Sequence, residues 1–137
     1  MSDNQAKTVY DAAKLGQGYT WGPRPGILVI DFTCGFTDPE CALGADMTSE
    51  VEATRTLLDA TREQGLPIVY TTIGFEPHAK DAAIWIEKAP SLSELALDSK
   101  WVDIDPRLDP KDDEAIVMKK GASGFFGTNL ASILVAQ

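Results

Sequence analysis

Apolar residues come in short blocks separated by glycine, proline and charge. The first block, Ile27-Leu28-Val29-Ile30, runs directly into Asp31. Four consecutive apolar residues, mostly β-branched, predict a strand covered on both faces, as in a parallel sheet flanked by helices. A loop follows from Phe32 to Asp46, holding Gly35, Pro39 and Gly44. A helix is predicted to start near Ser49, where Ser49 and Glu52 have capping-box spacing. Its apolar face is Val51, Leu57 and Leu58. Gly65 stands where a left-handed cap ends a helix, with Pro67 beyond it. Pro67 to Ile73 reads as a second strand by β-propensity, and strand, helix, strand in this order implies a right-handed βαβ unit. Residues 74–113 read mostly as loop, with a short helix around Ser91 to Leu97. Glu114 to Met118 reads as a third strand ending on Lys119, and Thr128 is placed to cap a last helix carrying Leu130, Ile133 and Leu134.

The first 25 residues lack this order. Gly16, Gly18, Gly22, Pro23 and Pro25 interrupt any regular pattern, while Tyr10, Tyr19 and Trp21 are apolar enough to pack on a neighbour. The segment is expected to be an arm, either a frayed terminus or part of an oligomer interface. The division is therefore an N-terminal arm, 1–25, and one domain, 26–137.

Composition narrows the possibilities. The 137 residues carry a formal net charge of −9, the wrong sign for a protein that tracks nucleic-acid phosphates. Two cysteines, Cys34 and Cys41, make no disulfide scaffold. No segment has the apolar length of a membrane span or a signal peptide. A soluble, cytoplasmic protein without nucleic-acid or membrane partners is expected.

Candidate chemistry gathers at strand ends. Asp31 belongs at the carboxyl end of the first strand, the edge where open α/β sheets bind ligands. It can serve there as a base, hold a cation, or simply cap the loop. Lys119 and Lys120 leave the third strand at the same edge. One of them can stabilise an anion or a thiolate, and at least one is expected to be merely solvated. Gly121 to Thr128 follows a strand and precedes a helix, yet matches neither the P-loop nor the dinucleotide fingerprint. His78, with Glu76 and Asp81 nearby, is a poor basis for a metal site or a serine triad. Either cysteine would become a nucleophile only beside a cation that lowers its pKa.

Gly26-Ile-Leu-Val-Ile-Asp31-Phe32 with Gly35-Phe36-Thr37-Asp38-Pro39, then Gly65-Leu-Pro-Ile-Val-Tyr-Thr-Thr72, then Lys119-Lys-Gly-Ala-Ser-Gly-Phe-Phe-Gly-Thr128, resembles the motif series of isochorismatase-like cysteine hydrolases. The likeness runs from about Gly22 to Gln137. The Asp-Pro loop and the Trp85…Lys88…Pro90 stretch look most like the N-carbamoylsarcosine amidase and maleamate amidohydrolase branch. Gly124 departs from the family's usual alanine. The resemblance implies a Rossmann-like three-layer α/β/α fold with a parallel sheet, of which this chain is the N-terminal part. It implies an aspartate–lysine–cysteine triad that opens a small linear amide or N-carbamoyl compound and releases ammonia. Asp31 carries over as base and Lys119, counted back from Ser123, as the cation. Phe36 and Trp85 carry over as substrate-binding residues. The Asp-x-His metal motif of the nicotinamidase branch is absent, so neither metal nor other cofactor is expected. A dimer or tetramer is expected of the intact protein.

The family's nucleophile follows a further strand. Neither Cys34 nor Cys41 occupies that position, so the chain is expected to be an inactive fragment. The rivals are a non-catalytic binding or oligomeric scaffold module and, among enzymes, an isochorismatase acting on a vinyl ether.

Overall fold

The computed structural model describes residues 3–14, 18, 20, 22–78 and 80–137. The apolar blocks become three parallel strands, β1 (Ile27–Ile30), β2 (Ile68–Ile73) and β3 (Ala115–Lys119), hydrogen-bonded in the order β1-β2-β3. Ile30 pairs with Thr71, and Ile73 with Lys119. The carboxyl ends of all three strands therefore lie along one edge. The helices, in chain order, are α1 (Asp3–Ala12), α2 (Cys34–Thr37), α3 (Thr48–Glu63), α4 (Ala83–Lys88) and α5 (Leu130–Ala136).

Side chains alternate across the strands, and each face has its own helix. Val29, Ile68 and Tyr70 pack with Val51 and Leu58 of α3 and with Ile104 and Leu108. On the opposite face, Val69 and Val117 pack against Leu130, with Leu28 and Ile133 beside them. This is the three-layer α/β/α arrangement predicted. A third apolar cluster sits above the carboxyl edge. There Ile73, Phe75, Leu95 and Val102 gather the loops, with Phe36, Trp101 and Met118 packed on them. Gly35 lies so close to this cluster that a Cβ would stand 2.8 Å from the Trp101 carbonyl oxygen, a contact with backbone that cannot yield.

Three local expectations need correcting. The capping box at Ser49 and Glu52 does not form. Helix α3 begins at Thr48, and Asp46 accepts hydrogen bonds there from Thr48 N at 3.1 Å and Thr48 Oγ1 at 2.7 Å. An aspartate two residues upstream reaches the free N–H groups first. The arm contains helix α1, because the glycines and prolines that break regular structure begin only at Gly16, beyond its end. Tyr10 is exposed on it, while Gly16, Tyr19 and Trp21 lie outside the described residues. The loop from 74 to 113 holds α4, unpredicted, and three 3₁₀ turns, of which Pro90–Glu94 overlaps the helix expected at Ser91. Two other caps match expectation. Gly65 ends α3 with φ +60°, and Thr128 Oγ1 accepts from Leu130 N at 3.1 Å at the start of α5.

Candidate active site

Asp31 is the first residue beyond β1, and its backbone turns there with φ +60°. Left-handed backbone is uncommon outside glycine, though aspartate tolerates it better than most. The turn is held by β2 twice. Asp31 N donates to Thr71 O at 3.1 Å, and Thr71 Oγ1 donates to Asp31 Oδ1 at 3.0 Å. Strain of this kind persists only where the surroundings fix it, and it concentrates at functional sites.

Lys119 ends β3 with a side chain only 3% exposed. Its Nζ meets Asp31 Oδ2 at 2.7 Å. The same ammonium donates to Gly121 O at 3.2 Å and Ala122 O at 3.4 Å, so its three protons all have acceptors. Asp31 stays about a quarter exposed. Each of its oxygens has one partner, and a carboxylate accepts about four hydrogen bonds. It thus keeps acceptor capacity facing outward. Lys119, not Lys120, makes the pair.

Lys120 points elsewhere, its Nζ lying 2.7 Å from Asp81 Oδ2. Together with Trp85, Gly121, Ala122, Ser123 and Phe126 these two residues line a cavity of about 550 Å³. Trp85, predicted to line a pocket, is on its wall. Phe36 is partly buried in the apolar cluster above the edge and is not on that wall. The sequence offered Lys120 as one of two candidate cations and Asp81 only as a neighbour of His78; it did not bring the two together or single out Phe126. The double lysine was the available signal, because two adjacent ammoniums at a strand end must diverge.

The cysteines stand apart. Cys34 opens α2 and lines a separate cleft with Thr37, Asp105 and Arg107. Burial pushes its thiol up, and the carboxylates of Asp105, Asp103 and Asp38 push it further. Cys41 is buried, donates to Glu94 Oε2 at 3.4 Å, and is likewise raised, first by burial. His78 is exposed, with Lys80 N donating to its Nδ1 at 3.5 Å.

A partly exposed carboxylate and a buried ammonium, gathered from the ends of two strands and bridged by a third, form the core of the site. Residues 25–137 match the family model described as the isochorismatase domain. The chain belongs to this family. It is 33% identical to the maleamate amidohydrolase of Pseudomonas putida, over the whole chain and 65% of that protein. It is 29% identical to the N-carbamoylsarcosine amidase of an Arthrobacter species, over 95% of the chain and 51% of that protein. The chain thus spans between half and two thirds of the length of these curated relatives. A solved cysteine hydrolase from Pseudomonas syringae pv. phaseolicola superposes with a TM-score of 0.78 at 25% identity, covering 89% of this chain and 60% of its own. The N-carbamoylsarcosine amidase of Thermoplasma acidophilum gives 0.67 at 24%, covering 82% and 61%.

Proposed function

We propose that this chain carries the base and the cation of a cysteine hydrolase that opens a small linear amide or N-carbamoyl compound and releases ammonia. The observation that carries the reading is the 2.7 Å contact between Asp31 and Lys119 at the ligand-binding edge of the sheet. In this reading Asp31 takes the thiol proton on its open side, and Lys119 favours the thiolate beside it. The thiolate attacks the carbonyl carbon, ammonia leaves with the proton returned to it, and water hydrolyses the thioester. The relatives named as amidohydrolase and amidase support the C–N bond as the one cleaved.

Neither thiol here is suited to the attack. Burial and nearby carboxylates raise Cys34, and Cys41 is buried against Glu94. Neither shares a hydrogen bond with the Asp31–Lys119 pair. The 137 residues alone are therefore expected to release no ammonia from N-carbamoylsarcosine, maleamate or nicotinamide. Turnover that vanishes in Cys34→Ser would make Cys34 the nucleophile and overturn this assignment. The second check is the reading frame past Gln137. A strand followed by a cysteine at a helix start supports the hydrolase, whereas an immediate stop codon favours a binding module.

A further inference from the structure

The segment from Gly121 to Thr128 fits no phosphate fingerprint, yet it reaches both members of the Asp31–Lys119 pair. It reaches Lys119 directly, because Gly121 O and Ala122 O accept hydrogen bonds from Lys119 Nζ. It reaches Asp31 through Thr71. Gly124 lies against the Thr71 methyl, so closely that a Cβ would stand 3.3 Å from Thr71 Cγ2 and 3.0 Å from Leu130 Cδ2. Both distances are shorter than the best separation of packed carbons. Gly124 is also held in place. Its carbonyl accepts from Thr128 Oγ1, and that oxygen in turn caps α5 by accepting from Leu130 N at 3.1 Å.

Thr71 is 1% exposed. Its methyl and hydroxyl share one carbon, so they turn together, and such a side chain is stiff about that bond. The methyl faces Gly124, while the hydroxyl donates to Asp31 Oδ1 at 3.0 Å. Any rotation that moves the methyl off Gly124 takes the hydroxyl off Asp31. The carboxylate needs that second donor. Lys119 holds only Oδ2, at 2.7 Å, and the torsion that turns an aspartate's carboxylate plane is broad. A donor on each oxygen fixes the plane, and with it the direction of the acceptor positions left open.

We propose that Thr71 is the positioning residue for the Asp31 carboxylate, and that Gly124 is what seats it. The inference rests on the reading of Asp31 as base and deepens it. A base works only when a lone pair lies within hydrogen-bond reach of the proton it takes, and a small misplacement is costly. Thr71 aims the carboxylate, and Lys119 supplies the charge. The missing Cβ at position 124, where alanine is usual in the family resembled, then has a purpose. It leaves room for the Thr71 methyl, and so lets the hydroxyl keep its direction. The Leu130 methyl is the end of a flexible side chain and can yield to a Cβ; the Thr71 methyl cannot yield without breaking the bond to Asp31.

The test reads Lys119, whose ammonium bonds to neither altered residue. Exchange of the Lys119 ammonium protons with water is followed by NMR on the whole isotope-labelled chain, in mildly acidic buffer. Thr71→Val keeps the shape and loses the hydroxyl. The carboxylate should then turn on Oδ2 and loosen the pair, and exchange should quicken about fivefold, the worth of one neutral hydrogen bond. Thr71→Ser, which keeps the hydroxyl, should stay near the original rate. Gly124→Ala should quicken exchange as Thr71→Val does. Adding Thr71→Ser to Gly124→Ala removes the crowded methyl and should reverse the effect. Circular dichroism confirms the fold of each variant. If Thr71→Val lowers the unfolding midpoint but leaves Lys119 exchange unchanged, Thr71 is only a packing residue and the proposal falls. If Thr71→Ser does not reverse Gly124→Ala, the glycine does not act through Thr71 and its part of the proposal falls. Neither failure touches the amide-hydrolase reading, because the measurement needs no turnover. That reading stands or falls on ammonia release and on the reading frame past Gln137.

Discussion

Arg62 and Glu114 meet at the amino-terminal edge of the sheet; Asp31 and Lys119 meet at its carboxyl-terminal edge. Both pairs join parts of the chain distant in sequence, and both are largely withdrawn from water, but they are finished differently. Arg62 grips Glu114 through Nε at 2.7 Å and Nη2 at 2.9 Å, and it also donates to the Leu108 and Asp109 carbonyls. Tyr70 OH and Lys111 N both donate to Glu114 Oε2, at 3.0 and 2.9 Å. The backbone of this pair's residues is unstrained, and both oxygens of the carboxylate are in use. Burial raises the Glu114 carboxyl, but the bonds from Arg62, Lys111 and Tyr70 outweigh it and hold the group below its ordinary range. Burial and the neighbouring Glu114 hold Tyr70 un-ionised well above its ordinary value. Asp31, by contrast, stands on a left-handed turn with acceptor positions open to the outside. A saturated pair can only hold elements together; an unsaturated one can exchange a proton.

Breaking each pair tests that distinction. Arg62→Met strands the Glu114 carboxylate, which is only 8% exposed, and should cost about 3–5 kcal/mol in denaturant unfolding. A loss below 1 kcal/mol would place the brace elsewhere. Lys119→Met should cost less, about 1–2 kcal/mol, because Asp31 keeps the Thr71 hydroxyl and access to water. If the two losses prove equal, the carboxyl-edge pair is a brace as well. The smallest effect concerns acid. The folded-state pKa of Glu114 lies below its ordinary 4.5. Its contribution is therefore complete above that value and is lost as pH falls through the folded value. Unfolding midpoints measured from pH 6 downward should fall in that window, and in Arg62→Met this part of the slope should flatten. An unchanged slope would show that other carboxylates, such as Asp105 held low by Arg107 and Thr37, carry the acid dependence.

The strands were legible as short apolar runs rich in β-branched residues, and their observed limits differ from the predicted ones by at most a single residue; the two-sided burial expected of the first holds along the whole length of β2 only, since Ile30 of β1 and Ile116 of β3 are more than half exposed. Asp31 and Lys119 were legible for a related reason: polar residues ending apolar strands have only one edge to occupy. The segment from 74 to 113 was not. Its helix α4 and first two 3₁₀ turns pack on Phe75, Leu95 and Val102 within the same segment, and its third packs on α3 through Leu108, an irregular arrangement that no helical or strand period announces. That Lys119 and Lys120 diverge follows from their adjacency, but which carboxylate each one meets was hidden, since it depends on where Asp31 and Asp81 come to rest.

Strand β2 and the glycine that follows it tie down both members of the carboxyl-edge pair through main-chain bonds, from Asp31 N to Thr71 O and from Gly74 N to Lys119 O at 3.3 Å. Neither amide proton can exchange with deuterium until the sheet beside it opens. The two exchange rates therefore time the lifetime of the site itself, and residues that look like independent chemical groups should lose their protection together, in one opening event of the central strand.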